Sequence, residues 1–118
     1  MCIETAIDLA RRNPVHDLPR MAAVIVDRRG VVISYGMNSR KSDPMAAKYG
    51  RHPDAVYPHA ELAAIKRALT VIGVEDLADC TLFVARVLKN GTEALAKPCC
   101  GCQRAINEFG IKNVIWTI

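Results

Sequence analysis

The chain has 118 residues, 51% hydrophobic and 24% charged, a composition that suits one compact domain over residues 1–118 and leaves no material for a second. No apolar run reaches the ~18 to 20 residues of a membrane span, and Met1-Cys2-Ile3-Glu4 lacks the basic-then-apolar layout of an export signal, so the expected location is the cytoplasm. The net charge of +4 is mild and scattered, which fits a phosphorylated small molecule; with 5% aromatic residues a base-stacking platform has few candidates, and nucleic acid is not expected as a partner.

Residues 2 to 12 read as a first helix, with Ile3, Ala6, Ile7 and Ala10 on one stripe, and Asn13-Pro14 ends it. A proline-bracketed loop follows, carrying His16. Met21 to Val26 and Gly30 to Gly36 are two short apolar runs around Asp27-Arg28-Arg29-Gly30, the pattern of a β-hairpin, and both strands read as buried on two faces of a central sheet. Residues 37 to 58 form a long irregular stretch, a length that in a compact domain is usually functional or disordered, and it leads straight into His59.

A second helix is expected from about His59 to Ile72, with Gly73 as its cap. Thr81 to about Leu88 gives a third strand, Asn90-Gly91 a turn, Cys99 to about Gly110 a third helix, and Asn113 to Ile118 a fourth strand. The order is α-β-β-α-β-α-β. Its helix crossovers predict an α/β fold of three layers, α/β/α, around a mixed sheet of about four strands, the first pair antiparallel and the later strands parallel.

Chemistry concentrates at two places, His59-Ala60-Glu61 and Pro98-Cys99-Cys100-Gly101-Cys102, each at the start of a predicted helix. One histidine, two cysteines three apart and a nearby carboxylate are the parts of a zinc site that keeps one position open for water. Leu62, Ile65, Leu69 and Ile72 form the apolar stripe of the second helix, and Glu61, four before Ile65, shares its inward side. Cys99, Cys102, Ile106 and Phe109 repeat the rhythm in the third helix, placing both cysteines on the buried stripe, with Cys100 turned about 100° away and not expected as a ligand. Residues two apart on a regular helix do not face each other, so His59 and Glu61 can share a site only if His59 stands at the helix start. The five cysteines, in a chain without an export signal, favour metal binding or free thiols over disulfides. A structural zinc ribbon would need a second Cys-x-x-Cys, and the sequence has none.

His-x-Glu followed by Pro-Cys-x-x-Cys is the signature of zinc-dependent nucleobase deaminases. The chain resembles the cytidine and deoxycytidylate deaminase superfamily over nearly its whole length, and that fold has the same element order. The resemblance implies a zinc ion held by His59, Cys99 and Cys102, a zinc-bound hydroxide as nucleophile, and Glu61 as the carrier of its protons. Many members continue past the fourth strand into another helix and strand, whereas this sequence stops at Ile118.

Gly36-Met37-Asn38 resembles the Gly-x-Asn of deoxycytidylate, tRNA adenosine and related deaminases, where the Asn contacts the nucleoside; a turn Asn with no ligand is the alternative. Deoxycytidylate deaminases commonly follow it with Gly and Pro, but here Ser39-Arg40-Lys41 stands instead. Arg40 and Lys41 offer positive charge for a nucleotide phosphate, or a solvated face. Ala60 joins Asn38, Arg40 and Lys41 as an expected substrate contact. The expected activity is hydrolytic deamination of a cytosine nucleotide, deoxycytidylate to deoxyuridylate foremost, in pyrimidine nucleotide metabolism. Alternatives are a deaminase of cytidine, deoxycytidine, adenine or guanine, and a non-catalytic zinc-binding interaction domain. A homo-oligomer is expected, because small chains with open sheet edges complete themselves by association.

Overall fold

The hairpin between the first two strands shows how local sequence sets the sheet. In the computed structural model, which describes residues 2–15, 19–39 and 59–118, β1 (Arg20–Val26) turns back into β2 (Val32–Met37). Asp27 Oδ1 accepts the backbone N–H groups of Arg29 and Val31, at 2.9 and 3.0 Å, while Gly30 supplies the positive φ of 83° that the reversal needs.

β1 is the buried heart of the sheet, with β2 on one side and β3 (Thr81–Val87) on the other, both antiparallel to it. β5 (Asn113–Trp116) runs parallel to β3 along Thr81 to Val84, and the two-residue β4 (Glu93–Ala94) pairs with Arg86 and Val87 of β3. Strands joined through helices therefore run the same way, as the crossover argument requires. The direct neighbours β1 and β3 are antiparallel, however, because β1 lies between β2 and β3. β4 escapes a sequence reading because two residues carry no alternation.

Each face of the sheet carries its own core. Ala22, Val24 and Val26 of β1, with Ala85 and Val87 of β3, pack against Ala6, Ile7 and Ala10 of α1 (Cys2–Arg12), the stripe expected for that helix. Ala23 and Ile25, on the opposite face, join Leu82 and Val84 beneath α2 (Ala60–Ala68) and α3 (Cys100–Glu108). The result is the three-layer α/β/α arrangement around a mixed sheet.

Two expectations are corrected. β2 is an edge strand and not buried on two faces: Val32 and Tyr35 are exposed while Ser34 and Gly36 are buried, the alternation of a half-covered strand. α2 closes at Ala68 with Leu69 as its C-cap, and turn hydrogen bonds carry the chain on through Ile72. Gly73 instead opens a 3₁₀ helix, Val74–Asp79, its N–H donating to Asp76 Oδ2 at 3.2 Å.

What brings α2 down onto the sheet is Gly36. A Cβ there would meet the Ala64 nitrogen, and would stand 2.6 Å from the Ala60 oxygen and 2.7 Å from the Ala63 Cβ, so only a residue without a side chain permits this approach. Ser34 fixes the same contact from two residues earlier, its hydroxyl donating to the Ala64 carbonyl at 2.8 Å.

Candidate metal centre

His59 is the N-cap of α2, with extended backbone angles (φ −85°, ψ 157°), and its side chain lies off the helical wheel. That is how it shares a site with Glu61. The α2 stripe turns Glu61 inward as expected, to 2% exposure. In α3 the expectation needs correction for one cysteine. Cys102 is buried on the helix, but Cys99 is the N-cap and exposed, so it faces the site from outside the helical stripe. Its sulfur accepts the Cys102 N–H at 3.5 Å, doing the work of a capping side chain.

The three ligand atoms converge. His59 Nδ1 lies 3.2 Å from Cys102 Sγ and 3.6 Å from Cys99 Sγ, and the ligand atoms of all three residues fall within 4.8 Å of one another. A tetrahedral zinc ion with nitrogen at ~2.0 to 2.1 Å and sulfur at ~2.3 Å separates nitrogen from sulfur by about 3.6 Å, close to both nitrogen–sulfur distances here, so these residues fit the ion. One nitrogen and two sulfurs leave a fourth position. Facing the cluster is a further sign: Glu61 Oε1 is buried and has no hydrogen-bond partner.

The proton affinities follow from this crowding. The Cys99 thiol is pulled down to about 3, first by the hydrogen bond from the Cys102 thiol and next by that from His59. Cys102 is pushed far up, because it donates to the Cys99 sulfur and is buried. His59 is raised by its hydrogen bond to Cys99, against the opposing effect of burial. Burial raises Glu61. Thiolate sulfur beside imidazole nitrogen is the donor set that a divalent, borderline-soft cation displaces protons to reach.

Of the expected substrate contacts, Ala60 is buried, with its carbonyl against Gly36. Asn38 is heavily engaged. Its Oδ1 accepts from Met21 N at 3.0 Å and Asn13 Nδ2 at 2.7 Å, and its Nδ2 donates to Pro19 O at 2.6 Å. Three of its four hydrogen-bonding positions hold the α1–β1 connection to the end of β2, and among the described residues one N–H is left. Arg40 and Lys41 lie outside the described residues, as does His16. The sequence reading passed over Asn13, taken only as a helix end, which donates to Met21 O at 3.0 Å and is 5% exposed. Beside this network, Tyr35, Gly36, Met37, Asn38, Ala63 and Arg67 line a cleft of about 640 Å³ at the sheet edge.

The family described as "Cytidine and deoxycytidylate deaminase zinc-binding region" matches residues 1–118. No curated protein matches at a significant level. Among solved structures, dCMP deaminase from the cyanophage S-TIM5 is similar with a TM-score of 0.67 and 20% identity, over 97% of this chain and 77% of that one. Guanine deaminase from Bacillus subtilis is similar with a TM-score of 0.61 and 26% identity, over 97% of this chain and 60% of that one. The first likeness, at its low identity, is one of fold.

Proposed function

The chain belongs to the cytidine and deoxycytidylate deaminase zinc-binding family, and from that premise we propose that it deaminates a cytosine nucleotide, deoxycytidylate foremost. Water and the nucleotide give ammonia and the uracil nucleotide. The observation that carries this reading is the unpartnered Oε1 of Glu61, buried against the His59, Cys99 and Cys102 cluster. A structural zinc site has no use for such a carboxylate.

A zinc ion held by His59, Cys99 and Cys102 would supply hydroxide at neutral pH. Glu61 takes one proton of the water and delivers it to the ring nitrogen beside the reacting carbon, then takes the second from the hydroxyl now bonded to that carbon and passes it to the departing amine. His59 and Cys99, as N-caps of two helices, hold ligand atoms where the backbone is fixed from both sides. Asn38 offers its remaining N–H to sugar or base, next to the buried Ala60. Arg40 and Lys41 are proposed for the phosphate on charge alone. We further propose a cytoplasmic homo-oligomer: Cys80, Cys99 and Cys102 are free thiols, and the edge strand with its approach exposes Val31, Val32 and Tyr35.

The similarity to guanine deaminase supports a second reading, a purine base as substrate. Ammonia release from the zinc-loaded protein, measured across dCMP, deoxycytidine, cytidine, adenine, guanine and an oligonucleotide, decides between them. The expected result is turnover highest with dCMP. Turnover confined to guanine replaces the first reading with the second, and no release from any of them removes both.

A further inference from the structure

Sheet register gathers a row of residues beneath the metal centre. Met21 of β1 stands opposite Arg86 of β3, Arg86 stands opposite Ala94 of β4, and on the other side of Met21 the Asn38 side chain accepts its N–H. Strand residues alternate between faces. Leu82 and Val84 lie in the core under α2 and α3, so Arg86, two beyond Val84 in an unbroken ladder, turns to that same face. The neighbouring row is Gly36, Ala23 and Val84, and there α2 rests through Ala60 and Ala64. Along β2, Ser34 reaches the Ala64 carbonyl while Gly36, two residues further on, meets the Ala60 carbonyl, so the row of Arg86, beyond that of Gly36, lies toward the N-terminal end of α2, where His59 and Glu61 stand.

In that place Arg86 Nε is buried and makes no hydrogen bond. A buried guanidinium N–H without an acceptor is costly, and native structures keep few. Arg20 gives the contrast. It begins β1 at the same end of the sheet, one residue from Met21 and so on the α1 face, and its guanidinium donates to the carbonyls of Arg11 at 2.8 Å, Leu88 at 2.7 Å and Lys89 at 3.3 Å. On the face that carries the metal centre, Arg86 Nε has no such acceptor. Asn38, about 10 Å away across two interstrand spacings, has spent most of its hydrogen-bonding capacity on the protein.

We infer that Arg86 receives an anionic oxygen of the substrate, the phosphate of a nucleotide, at the floor of the site. The inference rests on the nucleotide reading proposed above and adds the residue that selects for it. A guanidinium is permanently charged and forks toward phosphate oxygens, which can also satisfy the Nε that the protein leaves without an acceptor.

The test uses the zinc-loaded full chain and the variants Arg86→Gln and Arg86→Lys. Arg86→Gln is expected to lower kcat/KM for dCMP by roughly 10- to 150-fold while deoxycytidine stays within about twofold, with zinc content unchanged. Arg86→Lys, which keeps the charge and loses the fork, is expected to fall between. Equal losses for nucleotide and nucleoside, or no loss for either, overturn the inference. A second readout stands apart from turnover: inorganic phosphate is expected to raise the unfolding midpoint of the wild type and not that of Arg86→Gln. Should the wild type deaminate no nucleotide, the proposed function alone fails. The phosphate titration then decides, a shift lost in Arg86→Gln supporting the phosphate site and an identical response in both proteins overturning it.

Discussion

The two faces of the sheet are built from similar residues and end in opposite states of polar satisfaction. On the α1 face, Ala6, Ile7, Ala10, Ala22, Val24, Val26, Ala85 and Val87 close a core of small side chains, and Arg20 at its margin has backbone carbonyls to donate to. On the α2–α3 face the core is as apolar through Ile25, Ile65, Leu82 and Ile106, yet at one end it meets Glu61 and Arg86. Among the described residues these two hold the only buried side-chain nitrogen or oxygen atoms without a partner, Glu61 Oε1 and Arg86 Nε. Ser34 and Thr117, buried as well, are satisfied by the carbonyls of Ala64 and Ala94. Orphaned polar atoms gathered on one face are what a fold gives up to keep a site.

If that division is real, substitutions on the two faces should separate turnover from stability. Glu61→Gln keeps the shape of the side chain and removes the proton transfer, so kcat should fall by roughly 10² to 10⁴-fold with zinc retained. Its unfolding midpoint should not fall, because a neutral amide replaces a buried carboxylate whose Oε1 has no partner. Near-normal turnover, or loss of zinc in this variant, would break the assignment of Glu61. Val24→Ala, on the α1 face and fully buried, should do the reverse. Losing two methyl groups costs roughly 2 kcal/mol with the cavity left behind, visible as a lower denaturant midpoint at unchanged m-value. Its kcat/KM per folded molecule should match the wild type; a loss there would mean that the α1 face also shapes the site.

The helix side of the α1 face was legible because a helical stripe, Ile3, Ala6, Ile7 and Ala10, specifies it; the apolar run of β1 did not say which of its residues face α1. The ligand set was legible for a different reason. His59, Cys99 and Cys102 are rare residue types in two short motifs, His-x-Glu and Cys-x-x-Cys, and spacing within a motif survives without knowledge of the fold. What stayed hidden was the part that depends on register between distant strands. Arg86 reads in the sequence as one more strand residue, and only the pairing of Met21 with Arg86 places it under the helix ends. Cys99 was read onto the helical stripe because periodicity cannot tell the first helical residue from its cap, and one residue of difference turned an expected buried thiol into an exposed one. β2 read as doubly buried because its apolar run resembles that of β1. Which of two such runs takes the edge is set by the third strand, which chose β1.

The smallest expected effect lies where the two faces meet, at the β2 edge. There the Arg67 guanidinium of α2 stands 4.6 Å from the centre of the Tyr35 ring, on the wall of the cleft. A cation over an exposed ring contributes about 0.5 to 1 kcal/mol, so Arg67→Ala should lower the unfolding midpoint by a few degrees at most. The comparison of faces predicts that kcat/KM is untouched, since Arg67 is exposed and lies two turns along α2 from Glu61, on the part of the helix beyond its contact with Gly36. The same substitution can therefore break the comparison. Loss of kcat/KM at full stability would make the cleft part of the path or seat of the substrate, and the site would then extend around the sheet edge and not end at the row of Asn38, Met21 and Arg86.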